Sequence, residues 1–319
     1  MRIYTLSGTD IYSHLATEAY FLHHCKENVI LLWQSHNTVV CGKHQNTAAE
    51  VNFEYCQQNN IHIARRLTGG GTVFHDDGNV CFTFIQNHSG KVENTIDYKR
   101  FLDPVKAFFN ALAIPVHYSP RHDLMIDNKK ISGNAQHVFL KEKRVLHHGT
   151  LLFNSDLKKL GIAIKPKEGL EHRGVNSVRS VVANISEYAN PWTSPAQMME
   201  AMQSYFIGLG YRAQEIEGKE QKEIQTLRDE KFSQLDWVWD YSPKHYIKRH
   251  FTFEGLIYSV NATIKNGNIE KLEIRDGEML KFGDLCKQLL GSWRFDRISA
   301  LIQKSELHPI QKELSYLFF

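Results

Sequence analysis

The 319-residue chain is short of paired thiols. Its five cysteines, Cys25, Cys41, Cys56, Cys81 and Cys286, are scattered and form no CxxC. That excludes a disulfide framework and a cysteine-built zinc site, and it fits reduced thiols in a cytoplasmic setting. No apolar run approaches the ~18 residues that a membrane span needs. Met1-Arg2-Ile3-Tyr4 reaches polar residues within a few positions, so no signal peptide is expected. An excess of one charge is missing too: 38 Lys and Arg stand against 35 Asp and Glu, a net +3. This is too mild to imply nucleic acid, although it suits an anionic substrate or an acidic partner. No internal repeat or low-complexity tract is present. With 42% hydrophobic and 23% charged residues, the chain is long enough for two domains, or one large domain with an appendage.

Periodicity places the elements. Ile11, Leu15, Ala19 and Leu22 share one helical face over residues 10–25. Val29–Trp33 and Thr38–Cys41, four residues apart, read as a hairpin. Helices are predicted over 52–60 and 98–112, with Pro104 limiting or kinking the start of the second. Leu124–Ile126 and Lys129–Ser132 flank Asp127-Asn128, a two-residue turn, and Val145–Phe153 is a further strand. Ser194-Pro195 caps a helix that ends near Gly208. Residues 217–230 read as a solvated helix or linker. After residue 243 the pattern changes to strands at 251–257, 259–265 and 269–274, the last two joined by Asn266-Gly267, with helices near 283–290 and 295–303. The expected division is therefore 1–242 and a small α+β domain over 243–319.

Chemistry concentrates in three segments. The first is Arg65-Arg66-Leu67-Thr68-Gly69-Gly70-Gly71-Thr72-Val73-Phe74-His75-Asp76-Asp77-Gly78-Asn79, between strand-like runs at 61–66 and 79–86. Three glycines let the backbone turn sharply, and successive N–H groups without side chains make a concave donor surface for an anion. A plain turn or bulge also accounts for a bare triglycine. Alternation along an extended 61–66 sends Arg65 and Arg66 to opposite faces, so Arg66 is assigned to a ligand phosphate and Arg65 to packing and an acid elsewhere. The Gly-Lys-Ser/Thr of a phosphate loop is absent, and a dinucleotide fingerprint fits poorly because a strand follows.

The second segment is His122-Asp123-Leu124 through Lys130-Ile131-Ser132-Gly133-Asn134-Ala135. With Ile131 facing the core, Lys130 and Ser132 face a cleft, and Gly133 and Ala135 leave room for a ligand against the backbone. A lysine beside a turn is ordinarily a solvated one. The third is His147-His148-Gly149-Thr150-Leu151-Leu152. Adjacent strand residues point to opposite faces, so the pair cannot easily chelate one ion; one histidine is expected in the cleft and one in a structural role. Cys81, between Val80 and Phe82, reads as a packed thiol rather than a nucleophile.

Taken together and in this order, the three segments resemble the lipoate–protein ligase family, whose pattern is Arg-Arg-x-Ser/Thr-Gly-Gly-Gly-x-Val-x-His-Asp-x-Gly-Asn, Asp-Leu…Lys-x-Ser-Gly-x-Ala and His-His-Gly-Thr-Leu-Leu. The resemblance extends to Leu15-Ala16-Thr17-Glu18, Leu32-Trp33, Thr38-Val39-Val40, Gly42-Lys43-His44-Gln45-Asn46 and Val175-Asn176-Ser177-Val178-Arg179-Ser180, nearly the whole chain. It implies an α+β fold: a class II aminoacyl-tRNA synthetase/biotin ligase-like catalytic domain with a mixed sheet and flanking helices, followed by a small C-terminal domain. The implied reaction joins lipoate and Mg-ATP into lipoyl-AMP and passes the lipoyl group to a lysine of lipoyl carrier domains, those of 2-oxoacid dehydrogenase E2 subunits and the glycine cleavage H protein. By family position, Arg66, Gly71, Thr72, Val73 and Phe74 hold ATP, with Gly70 giving the bend. Lys130 is the catalytic residue, contacting the lipoyl carbonyl and the phosphate, and Ser132 lies beside it. Thr68, His75, Asn79 and His148 line the same pocket, Leu15 encloses the acyl tail, and Asp123 is the candidate Mg²⁺ contact.

Departures from the pattern are His14, Gln34, His122 and His137, where the family usually has Asn, Arg, Asn and Arg. Rival readings are an octanoyl or lipoyl transferase, a transferase restricted to preformed acyl-AMP, and a non-catalytic lipoate- or carrier-binding protein. Octanoyl transferases use a cysteine after the lysine motif, and residues 134–152 contain none.

Overall fold

Asn79–Asn87 and Arg144–Leu152 are nine-residue strands in which nearly every side chain on both faces is buried, which requires cover on either side. They form the middle of a six-stranded sheet ordered Asn134–Phe139, Arg144–Leu152, Asn79–Asn87, Val29–Trp33, Arg2–Thr5, Arg212–Ala213. The first four strands pair antiparallel and the last two join in parallel, so the sheet is mixed as expected. The computed structural model describes residues 1–88, 97–165, 168–178, 180–188 and 191–319.

Two units divide the chain by interleaved segments. Met1–Lys43, Ala64–Gly161 and Ser177–Ser233 make the first; His44–Ile63, Ile162–Asn176 and Gln234–Phe319 make the second. In the first unit, helix Ile11–His24 starts where Asp10 accepts the Ser13 N–H at 3.1 Å, and it buries the predicted Ile11, Leu15, Ala19 and Leu22. Helix Tyr98–Asn110 runs through Pro104 and sends Phe101, Leu102, Val105, Phe108 and Phe109 into the core with Phe82, Phe84 and Ile131. Helix Pro195–Gly208 is capped by Ser194, as the Ser-Pro pair predicts, and adds Met198, Met202 and Phe206 to that core.

The second unit is built on strands Leu170–His172, His245–Phe253, Leu256–Lys265, Asn268–Asp276 and Met279–Lys281. Trp293 stacks on Phe319 at 4.8 Å, and Trp293 Nε1 donates to the Phe318 carbonyl at 2.9 Å. No helix among the described residues is long and apolar enough to cross a membrane.

Two local expectations are corrected. Val29–Trp33 and Thr38–Cys41 are not a hairpin. Both edges of 29–33 are already taken, by Arg2–Thr5 and Asn79–Asn87, so Thr38–Cys41 pairs instead with Val73–His75. The strand expected at 251–257 is broken at Glu254-Gly255, where φ is 50° and 78°, and its first half starts earlier, at His245. Glutamate is a poor signal for a left-handed turn, and the inward Arg249 hides the alternation of 245–252.

Gly78 shows how tightly the strand ends are joined. Its carbonyl accepts N–H groups from Phe153 and Asn154 at 3.0 and 2.9 Å, and an added Cβ would lie 2.1 Å from the Asn154 carbonyl oxygen. Backbone cannot yield as a flexible side chain can. Gly78→Ala is therefore expected to lower stability by at least about 1–3 kcal/mol, read from the urea midpoint. An unchanged midpoint would contradict this packing.

Candidate active site

Strand His62–Arg65 enters the triglycine segment and strand Val73–His75 leaves it. Gly70 has φ +86°, a conformation that L side chains rarely adopt, and an added Cβ there would lie 3.0 Å from Arg66 Nη2. The Arg66 guanidinium occupies the inside of the bend. Nη2 donates to the carbonyls of Gly69 and Gly71 at 2.6 and 2.8 Å, Nη1 to Val40 at 3.1 Å, and Nε to Thr68 Oγ1 at 3.0 Å. Burial pulls its pKa down to about 10, which still leaves it charged at neutral pH. In a trans peptide C=O and N–H point in opposite directions. Carbonyls 69 and 71 turned in toward Arg66 therefore turn the N–H groups of Gly70 and Thr72 outward, and the Thr72 N–H meets Ser177 Oγ at 2.8 Å. Arg65 has a separate task, donating from Nη1 to the carbonyls of Gly42 and Lys43, both at 3.1 Å.

The lysine comes from a different element. Asp127-Asn128 has φ of 47° and 61° and closes the hairpin of Leu124–Ile126 with Lys129–Ser132. Ile131 is fully buried, as predicted, and Ser132 is too. The Lys130 backbone is pinned on both sides, its N–H to the Val181 carbonyl at 2.9 Å and its carbonyl to the Ala183 N–H at 3.1 Å. Its amine is partly covered and pairs with Asp123 Oδ1 at 2.9 Å. The Cβ position of Gly133 lies 3.2 Å from Lys130 Nζ, while that of Gly70 lies 3.5 Å from Ala135 Cβ. The amine and the triglycine thus border one stretch of chain, whose two-residue step spans roughly 7 Å when extended.

The two neighbouring histidines separate as the alternation requires. His147 is buried against Phe101, rings 5.0 Å apart and nearly parallel, and burial holds its pKa well below the usual value. His148 faces the other way, with Nε2 at 2.7 Å from Thr68 Oγ1 and Nδ1 at 2.9 Å from Glu18 Oε1. His75 is buried beside Ser35 Oγ at 2.9 Å and Trp33 at 5.6 Å, and burial with the nearby Arg66 charge lowers its pKa to about 3. Phe74, Asn79 and Leu15 are buried. Asn79 Nδ2 donates to Cys81 Sγ at 3.1 Å, and burial pushes that thiol's pKa well up, which suits packing rather than attack.

Among the described residues no group of three or more His, Cys, Asp and Glu gathers as a metal site. Asp123 offers a lone carboxylate, which fits an ion held mainly by substrate phosphates and water. Of the residues differing from the family pattern, His14 lies 5.2 Å from Trp33, Gln34 donates to the carbonyls of Asp77 and Asn79, His122 stacks on Tyr98 at 5.5 Å and His137 meets Phe139 at 4.5 Å. Arg179 lies outside the described residues. The sequence by itself assigns no role to Glu18 or Ser177. Glu18 carried a signal, a carboxylate on the apolar stripe with Leu15 and Leu22. Ser177 carried none, since its contact is with a segment 105 residues away.

His75 gives a pH expectation. Folded, it stays neutral down to about pH 3, whereas unfolded it protonates near its ordinary value of 6.5. Below that the unfolded chain binds more protons, so stability falls as pH drops from 6.5 toward 3, by up to about 1.4 kcal/mol per pH unit. His75→Gln should flatten the loss between pH 6.5 and 5 in urea unfolding; an equal slope in both proteins would contradict a neutral buried ring.

The lipoyl protein ligase A/B catalytic domain matches residues 10–207. A Mycoplasma genitalium protein named probable lipoate-protein ligase A is 34% identical over 294 residues, 88% of this chain and 85% of that protein. The Bacillus subtilis lipoate-protein ligase LplJ is 31% identical over 284 residues, 86% of this chain and 83% of its own. Among solved structures, the bipartite lipoate protein ligase of Thermoplasma acidophilum, described with its E2 lipoyl domain, has a TM-score of 0.63 at 23% identity, covering 74% of this chain and 95% of its own. A lipoate-protein ligase A bound with ATP has the same TM-score at 22% identity, over 74% of this chain and 97% of its own. These structures share the fold, and with the family match and the relatives' identity the conclusion is direct: the chain belongs to the lipoyl protein ligase A/B family.

Proposed function

We propose that the chain is an ATP-dependent lipoate–protein ligase. The observation that carries this is a lysine of pinned backbone whose amine borders the same short backbone stretch as a triglycine bend filled by a guanidinium. Attack of the lipoate carboxylate on the α-phosphorus of ATP forms the mixed anhydride lipoyl-AMP and expels pyrophosphate. The ε-amine of a carrier lysine then attacks the lipoyl carbonyl, an amide forms and AMP leaves. The carriers are lipoyl domains of 2-oxoacid dehydrogenase E2 subunits and the glycine cleavage H protein. Relatives named lipoate-protein ligase and an ATP-bound ligase of the same fold support this assignment.

Both steps gather negative charge on oxygens at one place, so a fixed cation and oriented N–H dipoles lower both barriers. The Lys130 ammonium supplies the cation, facing carboxylate and α-phosphate in the first step and the carbonyl oxygen in the second. Ser132 lies beside it on the same hairpin strand. Arg66 turns the carbonyls of Gly69 and Gly71 inward, so the outward Gly70 N–H, and the Thr72 N–H once it exchanges Ser177 Oγ for a phosphate oxygen, form the phosphate surface beside Gly71, with Val73 and Phe74 continuing it. A direct contact between Arg66 and phosphate exchanges one of its carbonyl partners for a phosphate oxygen. Thr68, His75, Asn79 and His148 border the adenylate, and Leu15 contributes to an apolar enclosure for the acyl chain. Asp123, which pairs with Lys130 through Oδ1, would be the protein carboxylate for Mg²⁺, and the bound ion would neutralise phosphate charge. The nucleophile of transfer belongs to the carrier, which agrees with the packed state of Cys81.

The function is tested by transfer of radiolabelled lipoate to an apo lipoyl domain with and without ATP. Label on the carrier only with ATP is expected; equal labelling without it would contradict the proposal. Lys130→Ala should cut lipoate-dependent pyrophosphate exchange by at least about 100-fold, the effect of losing one pre-organised charge, with the fold retained. Near-normal exchange would remove Lys130 from the chemistry. Gly70→Val, forced into a left-handed backbone against Arg66, should weaken ATP binding in calorimetry by at least about tenfold. Unchanged affinity would separate the bend from the nucleotide.

A further inference from the structure

A continuous hydrogen-bond chain runs through the first unit from its sheet to the triglycine bend. Trp33 Nε1 donates to Thr83 Oγ1 at 3.0 Å, and Thr83 Oγ1 donates to Glu18 Oε1 at 2.6 Å. The same Glu18 oxygen meets His148 Nδ1 at 2.9 Å; His148 Nε2 meets Thr68 Oγ1 at 2.7 Å, and Arg66 Nε donates to Thr68 Oγ1 at 3.0 Å. Glu18, Thr83 and Thr68 are 0% exposed, and Trp33, Arg66 and His148 are 2%, 5% and 8% exposed, so water does not break the chain.

Its polarity follows from the chemistry of its members. Glu18 Oε1 already accepts the Thr83 hydroxyl proton, so it is an acceptor, and His148 Nδ1 is the donor to it. Arg66 cannot accept, so the single hydroxyl proton of Thr68 goes to His148 Nε2 at 2.7 Å in preference to the Gly69 carbonyl at 3.5 Å. Trp33 is a donor only, and Thr83 passes that bond on to Glu18. From both ends every donor points toward Glu18, while the guanidinium stands at the far end of the His148 branch. The Glu18 carboxyl group and the Arg66 guanidinium are thus joined through His148 and Thr68. The second oxygen of Glu18, Oε2, is buried with no hydrogen-bond partner among the described residues, which a carboxylate tolerates poorly unless its other bonds are strong.

We propose that Glu18 is a positioning residue for the glycine loop: by fixing the proton of His148 on Nδ1 it makes Nε2 the acceptor for Thr68, and Thr68 then holds Arg66 on the carbonyls of Gly69 and Gly71. Glu18 acts on the nucleotide only through this chain, and the proposal rests on the acyl-adenylate function above. It distinguishes Glu18 from a residue that merely lines the acyl enclosure, because its removal is felt at ATP.

The test is lipoate-dependent pyrophosphate exchange with the full-length chain. Glu18→Gln keeps the volume and the Oε1 acceptor but removes the charge. KM for ATP is expected to rise about tenfold, the weakening of one charge-assisted hydrogen bond, with KM for lipoate within about twofold of the parent. Thr68→Val cuts the chain further along and gives a similar rise, whereas Thr68→Ser restores the hydroxyl and the parental KM. The Glu18→Gln/Thr68→Val double variant is no worse than the poorer single one, because a chain already cut cannot be cut again. Independent losses that multiply to about a hundredfold, or a Glu18→Gln effect confined to lipoate, overturn the relay. Should Glu18→Gln fail to fold by near-ultraviolet circular dichroism, His148→Gln with Thr68→Val carries the same cycle. No lipoate-dependent exchange in the parental chain refutes the acyl-adenylate function and the relay with it; exchange in the parent with multiplying losses refutes the relay alone.

Discussion

A guanidinium taken out of water must find replacements for the hydrogen bonds it gives up, and Arg66 finds nearly all of them in backbone carbonyls of the bend and its neighbour strand. That condition shapes everything around it. Carbonyls 69 and 71 must turn inward, the intervening residue must adopt a left-handed backbone, and glycine is the residue that does so at least cost. The N–H groups then face outward by peptide geometry alone. A single buried cation thereby organises a donor surface, and the absence of side chains lets a ligand reach it.

Lys130 is held by different means. Its backbone lies in a two-sided clasp from residues 181 and 183, its side chain rests beside Gly133, and Asp123 balances the charge of its amine. Arg66 is locked by burial, whereas Lys130 carries a flexible stem and a partly exposed head paired with Asp123. In the proposed reaction an amine that follows an oxygen from acid to anhydride to amide would benefit from such freedom, while a donor surface would benefit from rigidity.

Much of this was legible in the chain itself. Ser194-Pro195 and Asp127-Asn128 specify local backbone geometry through their own side chains, so the helix and the hairpin appeared where expected. The separation of Arg65 from Arg66 and of His147 from His148 followed from strand alternation. What stayed hidden was non-local. Whether Val29–Trp33 pairs with its sequence neighbour depends on which edges other strands have filled, and no local pattern records that. The anchoring of Arg66 on the Val40 carbonyl, the support of Thr72 by Ser177 and the buried link of Glu18 to His148 all join segments far apart in sequence. The residue types were visible, but their partners were not.

In the proposed reaction this one bend and this one amine make the anhydride, rather than only accept it ready-made. The most direct measurement is acid quenching of the chain after incubation with lipoate, ATP and Mg²⁺ in the absence of any carrier, followed by mass analysis of the bound small molecules. Lipoyl-AMP retained on the protein, with matching pyrophosphate in solution, is expected. No lipoyl-AMP from ATP, in a chain that still transfers the lipoyl group from added lipoyl-AMP, would contradict it.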